Sequence, residues 1–286
     1  VIGYVNRVIN HSLVDGPGNR TAIFFQGCQF NCRYCHNPET LHRCVDCGRC
    51  EAVCPVGALH LENGKMHWNA ALCCGCDACI KACPNTSSPK ITEYTPEALL
   101  EKIKKNLPFI RGITCSGGEC TLQAEFMAAL FALTKPLGLS NLIDSNGTLD
   151  FAQNQWLLKD ADGVMLDIKC YDDEQHKMLT GQSNQLVLQN AVWLAQRGLL
   201  PEVRTVIVPG LLPNEDTVTR VSQLLAPYQE IAPIRYKIIA YRPMGVREEY
   251  SHYATPTRAD LAALKAIAKA TGVTQVSLLN AEKATA

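Results

Sequence analysis

Twelve of this chain's 15 cysteines fall between Cys28 and Cys83, and that crowding limits what the chain can become. Thiols at such density end as disulfides or as metal ligands. Disulfide frameworks belong to small secreted domains that cannot bury a core. This chain has 286 residues, 47% of them apolar, enough for one substantial core and a small second module. Its cysteines are also grouped at ligand spacings, which disulfide partners need not respect. The expectation is metal–sulfur sites in a reducing compartment.

Two of the groups share one pattern. Cys44-x-x-Cys47-x-x-Cys50-x-x-x-Cys54-Pro55 is followed by Cys73-x-x-Cys76-x-x-Cys79-x-x-x-Cys83-Pro84. This is the two-cluster pattern of bacterial ferredoxins, in which the fourth cysteine of each run ligates the other cluster. One [4Fe–4S] cluster is then expected on Cys44, Cys47, Cys50 and Cys83, and a second on Cys54, Cys73, Cys76 and Cys79. Cys74 is left over, since choosing it breaks the spacing. Two zinc knuckles are the alternative. Between the runs, Asn63-Gly64 predicts a hairpin joining strands at 58–61 and 66–68.

The remaining sequence reads as an α/β fold. Apolar, β-branched runs at 112–115, 141–144, 163–168, 203–208 and 234–240 predict strands buried on both faces, with a first strand at 21–26 and a last one at 275–279. Helices are predicted between several of them. Thr95-Pro96 supplies a cap and an N1 proline ahead of Leu99, Leu100 and Ile103. Thr121 opens a stripe of Phe126, Leu130 and Leu133. Asn214 caps a turn carrying Glu215 and Asp216, and Leu261, Leu264 and Ile267 form a stripe that stops at Gly272. The alternation predicts a barrel-like β/α repeat of at least six units, with polar and glycine-rich peptides after the strands, where the site of such folds lies. The expected division is a core of residues 1–38 and 94–286 with an insertion at 39–93.

The third cysteine group, Cys28-x-x-x-Cys32-x-x-Cys35, follows the first predicted strand. Three thiolates hold three irons of a cube and leave the fourth open to a small molecule, as a catalytic zinc keeps an open position. Tyr34 is placed to shield such a cluster from water. Zinc is again the alternative, but His36, adjoining Cys35, is a poor fourth ligand. After the second of these strands comes Ser116-Gly117-Gly118-Glu119, where two glycines permit close backbone approach and a carboxylate can meet an ammonium. Cys115 and Cys120 flank it without cluster spacing and read as buried thiols.

With these motifs the chain resembles the radical S-adenosylmethionine (SAM) superfamily and, along essentially its whole length, the glycyl radical enzyme activating enzymes. The carrying segments are Val14-Asp15-Gly16-Pro17-Gly18-Asn19-Arg20, Asp144-Ser145-Asn146-Gly147, Met165-Leu166-Asp167-Ile168-Lys169, Leu179-Thr180-Gly181 and Arg204-Thr205-Val206-Ile207-Val208-Pro209-Gly210. The resemblance implies a partial (β/α)6 barrel of TIM type with an inserted ferredoxin-like domain carrying two [4Fe–4S] clusters. It implies a third cluster on Cys28, Cys32 and Cys35 whose open iron binds SAM. Tyr34, Gly117, Gly118 and Glu119 would then contact SAM, Glu119 through its amino group. Asp144, Ser145, Met165 and Asp167 would hold a monovalent cation beside the SAM carboxylate. Lys169 and Arg204 would offer positive charge to a carboxylate or to backbone carbonyls. Arg242 departs from the family pattern: it stands where a SAM-contacting histidine is common, and a permanently charged fork cannot reproduce a neutral imidazole contact.

The implied activity is an oxidoreductase that cleaves SAM to methionine and a 5′-deoxyadenosyl radical, which takes a hydrogen from a backbone glycine of a partner glycyl radical enzyme. The two further clusters would relay electrons from a ferredoxin or flavodoxin, or else shape the partner interface. A radical SAM enzyme acting on a small molecule or peptide, and a ferredoxin-like electron carrier, are the alternatives. The formal net charge is zero, with 27 basic and 27 acidic residues, so no nucleic-acid partner is expected. No charged segment leading into an apolar one opens the sequence, and the apolar runs near Val206 and Ile238 are too short to span a membrane. The expectation is a cytoplasmic protein of anaerobic metabolism.

Overall fold

The run after Asn19 becomes a strand because its side chains suit burial on both faces. Every residue of Arg20–Phe25 is buried, Arg20 included. Its guanidinium donates from Nε to Thr114 Oγ1 at 2.8 Å and from Nη2 to the Ile113 carbonyl at 2.6 Å, so the charge enters the interior already bonded. The computed structural model describes residues 1–279 and divides the chain into two units. The first comprises Val1–Gln29 and Asn37–Leu139; the second comprises Phe30–His36 and the chain from Ser140 onward.

In the first unit, strands β1 (Gly3–Ser12) and β2 (Arg20–Phe25) pair antiparallel. The hairpin β3 (Leu59–Glu62) and β4 (Lys65–Trp68), the short helix α1 (Ala78–Lys81) and strand β5 (Thr92–Tyr94) follow. Helix α2 (Pro96–Lys104), strand β6 (Gly112–Gly117) and helix α3 (Ala124–Thr134) complete it. The strand order is β5-β1-β2-β6, with β6 parallel to β2. The hairpin forms its own two-stranded sheet, turning at Asn63 (φ 51°) and Gly64 (φ 74°), the left-handed pair that a tight hairpin requires. Helix α2 starts as expected, Thr95 Oγ1 accepting from the Ala98 N–H at 3.2 Å. It buries Leu99, Leu100 and Ile103 and packs on α3; each such side chain contributes ~1.5–3 kcal/mol of burial.

In the second unit, β7 (Ser140–Ser145), β8 (Gly163–Asp167), β9 (Glu202–Ile207), β10 (Arg235–Ala240) and β11 (Gln275–Leu279) lie in sequence order, all parallel. Helices α4 (Asp173–Thr180) and α5 (Gln185–Ala195) join β8 to β9, α6 (Asn214–Leu225) joins β9 to β10, and α7 (Arg258–Ala270) joins β10 to β11. Helix α7 opens on a capping box between Thr257 and Asp260.

Four local expectations are corrected. Strand β1 was not predicted; its Asn, Arg and His side chains break the apolar run, and only three of its ten positions are buried. Thr121 opens a 3-10 turn, Cys120–Gln123, and the α-helix begins only at Ala124. Asn214 does not cap α6: its side-chain oxygen accepts from the Val208 N–H at 3.0 Å, and Pro213 holds the cap position. Strand β10 is not buried on both faces but alternates, with Tyr236, Ile238 and Ala240 inside and Arg235, Lys237 and Ile239 half-buried. Among the described residues no helix is long and apolar enough to cross a membrane.

Thr95→Ala removes the cap of α2 and is expected to cost about 1 kcal/mol. Denaturant unfolding measures it, and Thr95→Ser should restore most of the loss.

Candidate functional site

The functional residues of the first unit gather after β2 and β6. Gly118 N–H donates to the Phe25 carbonyl at 3.0 Å, and Glu119 N–H to the Gly27 carbonyl at 2.7 Å. Gly27 N–H in turn donates to the Thr40 carbonyl at 2.8 Å, and Cys28 N–H to Leu41 at 3.0 Å. This backbone weave leaves no room for side chains. A Cβ on Gly117, whose φ is 125°, would run into the backbone of Phe25, and one on Gly118 into the carbonyls of Gly27 and Thr40. The two glycines thus serve chain-to-chain approach, whatever they also do for a ligand. Glu119 is buried, and its Oε1 accepts from the N–H and hydroxyl of Thr121 at 3.1 and 2.6 Å. Cys115 and Cys120 are fully buried, as expected.

The insertion also belongs to the first unit and contains two cysteine-lined cavities. One is lined by Cys44, Cys47, Cys50 and Cys83, with Arg49, Ser87 and Cys79 at its wall. The other is lined by Cys54, Cys73, Cys76 and Cys79, with Trp68, Cys74 and Lys90. Cys83 thus lines the cavity of the first run and Cys54 that of the second, and Cys79 stands in the wall of both. Backbone N–H groups already point at sulfur: Ala58 to Cys54 at 3.2 Å and Asp46 to Cys44 at 3.4 Å. The backbone N–H of Gly75, and then the indole of Trp68, draw the Cys73 thiol below its usual range. Burial pushes the Cys50 thiol up to about 11. Lys90 holds Asp77 at 2.6 Å beside the second cavity. Among the described residues no three His, Cys, Asp or Glu side chains are grouped to hold a single metal ion.

In the second unit the peptide from Phe30 to His36 is strapped to the end of α4. Asn31 N–H donates to the Thr180 carbonyl at 2.8 Å and Arg33 N–H to Leu179 at 3.0 Å. Gly181, at φ 84°, ends α4 and leaves those carbonyls available. Arg247 Nη2 donates to the carbonyls of Cys32 and Asn31 at 3.0 and 3.3 Å. His36 Nε2 bonds the Arg242 carbonyl at 2.9 Å, and a Cβ on Gly245 would meet the His36 carbonyl oxygen at 2.8 Å. Tyr34 is core, packed with Cys170, Leu179, Val208, Leu212 and Tyr241, and Lys169 Nζ lies 6.0 Å from its ring centroid. Burial pushes the Cys32 thiol up to about 12, while the nearby Lys169 ammonium pulls it down. Burial works against the charge of Lys169, yet Asp167, 2.8 Å away, holds it well above its ordinary value.

The residues expected to hold a cation are brought together, but they already have partners. Asp144 and Met165 are register neighbours on β7 and β8. Arg204 donates to Asp144 Oδ2 at 2.8 Å, to Glu202 Oε1 at 2.6 Å and to Met165 Sδ at 3.2 Å. Asp167 pairs with Lys169, and Ser145 Oγ accepts from the Gly147 N–H at 3.0 Å. The Arg242 side chain is exposed; its contribution to the loop is its carbonyl. Sequence reasoning missed Trp68, Ser87, Lys90 and Arg247. Their surroundings are set by the fold, and none stands at a motif spacing.

The radical SAM superfamily profile matches residues 22–225, and the chain belongs to that superfamily. It is closely related to several glycyl radical enzyme activating enzymes. It is 32% identical over 258 residues to the choline trimethylamine-lyase activating enzyme of Oleidesulfovibrio alaskensis, covering 82% of each chain. It is 30% identical over 254 residues to the pyruvate formate-lyase-activating enzyme of Streptococcus mutans, covering 86% of this chain and 80% of the relative. Among solved structures, QueE from Escherichia coli matches with a TM-score of 0.52 and 15% identity over 98% of this chain and 94% of that one. The fold is accordingly the partial α/β barrel of radical SAM type. The protein is a radical SAM activating enzyme, an oxidoreductase that cleaves SAM to generate a radical.

Gly118→Ala should displace Gly27 and the neighbouring Cys28 to relieve its collision with the Gly27 and Thr40 carbonyls. SAM cleavage is expected to fall about 10²-fold, the scale of an ångström-sized misplacement. Reductive formation of 5′-deoxyadenosine measures it.

Proposed function

We propose that this activating enzyme installs a glycyl radical on a partner glycyl radical enzyme. The observation that carries this reading is its likeness, along four-fifths or more of both chains, to relatives named as activating enzymes of different lyases. Cys28, Cys32 and Cys35 would hold the SAM cluster, which when reduced supplies the electron that breaks a carbon–sulfur bond of SAM. The Lys169 ammonium beside Cys32 favours the thiolate that ligation needs. Glu119, and the backbone it shares with Gly117 and Gly118, would receive the SAM amino group. Arg204 and Lys169 would offer positive charge to a carboxylate of SAM or to backbone carbonyls of the partner's glycine loop. A monovalent cation would enter by taking Asp144 and Asp167 from these two partners. Tyr34, buried against an apolar core, excludes water from its side of the Cys32–Cys35 peptide.

The insertion would carry two further [4Fe–4S] clusters, on Cys44, Cys47, Cys50 and Cys83 and on Cys54, Cys73, Cys76 and Cys79. A cube spreads its irons around a volume, one thiolate to each, and a four-cysteine cavity offers that arrangement. A zinc ion instead wants its sulfurs about 2.3 Å from one point. The buried polar hydrogens in both cavity walls fit an occupant that accepts hydrogen bonds. A ferredoxin or flavodoxin would donate electrons through this module.

Anaerobic reconstitution should load about twelve irons per chain, three cubes' worth, and Cys76→Ser should lower that to about eight. Iron and sulfide analysis tests this. The activity itself is tested by electron paramagnetic resonance (EPR) on a glycyl radical enzyme of the same genome, mixed with reduced protein and SAM. A carbon-centred doublet that loses its main splitting when the glycine is deuterated at Cα is the expected result. Multiple turnovers of 5′-deoxyadenosine, with no protein radical on any such enzyme of that genome, would overturn the reading.

A further inference from the structure

Each cysteine-lined cavity of the insertion has in its wall one buried side-chain donor with no acceptor in hydrogen-bond geometry. Trp68 closes β4 and lines the cavity of Cys54, Cys73, Cys76 and Cys79; its Nε1 is shut off from solvent with no acceptor in hydrogen-bond geometry, and the Cys73 sulfur is the group that its indole influences. Ser87 lies in the wall of the cavity of Cys44, Cys47, Cys50 and Cys83, 1% exposed, and its hydroxyl is likewise buried without a partner. An indole N–H and a hydroxyl removed from water cost free energy until an acceptor is supplied. Among the described residues Ser87 Oγ has no acceptor, and the Trp68 indole has only the Cys73 sulfur near it. Each lines a volume that four or more cysteines also line. A thiolate or sulfide there, being anionic, would be a stronger acceptor than a neutral thiol.

We propose that Ser87 and Trp68 are sulfur-directed hydrogen-bond donors, one to each auxiliary cluster, and that each raises the reduction potential of its own cluster. The proposal rests on the reading of the two cavities as [4Fe–4S] sites. Reduction adds negative charge to the cluster and its thiolates, so a donor aimed at sulfur stabilises the reduced state more than the oxidised one. Ser87 serves the cluster of Cys44, Cys47, Cys50 and Cys83. Trp68 serves that of Cys54, Cys73, Cys76 and Cys79, with Cys73 as its nearest acceptor. Both residues are tuning residues and leave ligation to the cysteines. The backbone donors, Asp46 to Cys44 and Ala58 to Cys54, are fixed by the chain path. Ser87 and Trp68 are the donors that a single substitution can change.

The test is an EPR redox titration of the full-length, reconstituted protein, with Ser87→Ala and Trp68→Phe beside the unchanged chain. Iron and sulfide content should be the same in all three. In Ser87→Ala one auxiliary signal should show about a tenfold lower ratio of reduced to oxidised cluster at a fixed potential, ~59 mV for a one-electron couple. In Trp68→Phe the other signal should shift by a similar factor, and the double variant should shift both. A full iron complement with unmoved potentials overturns the proposal and leaves the cluster reading standing. So does movement of the same signal by both variants. Wild-type protein that binds only about four irons overturns both together. Should Trp68→Phe lose iron, the wild-type protein decides with 15N-indole tryptophan. Pulsed EPR of the reduced clusters should show a coupling to labelled nitrogen, and its absence overturns the assignment of Trp68.

Discussion

The first unit depends on the approach of two backbones at the ends of β2 and β6. The Gly27 carbonyl accepts from Glu119 N–H while Gly27 N–H reaches the Thr40 carbonyl. The chain is thereby fixed on both sides of the residue that precedes Cys28. Such an approach requires residues without a Cβ, which is why Gly117 and Gly118 stand where they do. Gln26 extends the same fastening. Its amide donates to the Glu39 and His42 carbonyls at 2.7 and 2.5 Å, tying the segment that leads into the insertion to the end of β2. A buried amide that bonds two carbonyls in this way resists rotation, because leaving either acceptor unpaired in the interior is costly.

The second unit solves a different problem, holding a short irregular peptide in place without strands of its own. The peptide from Phe30 to His36 borrows the last carbonyls of α4, which have no partner within their helix. Arg247 adds two further bonds to the carbonyls of Asn31 and Cys32. The core under Tyr34 supplies burial. The Leu179-Thr180-Gly181 segment thus has a mechanical meaning: its carbonyls carry the cysteine peptide, and its glycine ends the helix so that they are available. Behind it, Arg204 joins β9 to β7 through Asp144 and satisfies Glu202 on its own strand. Desolvated charges of this kind persist only when paired, so these residues form a unit rather than separate binding groups.

The insertion is held chiefly by its small hairpin and a minor apolar cluster of Cys50, Leu59 and Cys79, with Met66, Trp68 and Ile80 against them. Asp46 pins the hairpin by accepting from the Met66 N–H at 2.8 Å. So few apolar side chains make a weak core, and a bound metal–sulfur group would supply folding free energy that such a core lacks. Cys79, shared by both cavity walls, makes the two halves interdependent.

Much of this was legible in the sequence, for identifiable reasons. Period-two and continuous apolar runs reveal strands, so the strands from β6 to β11 and the Asn63-Gly64 hairpin could be placed within a few residues. Ligand spacing groups the cysteines that line each cavity, because covalent reach limits which thiols can meet. Strand β1 stayed hidden because its polar side chains interrupt the pattern. Trp68, Ser87 and Arg247 stayed hidden because a donor's importance lies in what it faces, and that is a property of the fold. By itself the sequence determined the chemistry: three cysteine groups at cluster spacing, and the motifs of a radical SAM activating enzyme. Tertiary structure alone decided which carbonyls strap the cysteine peptide, which carboxylates Arg204 and Lys169 neutralise, and which buried donors look into each cavity. Several of those contacts join residues 60 to more than two hundred positions apart, and no local pattern encodes a partner that only packing supplies.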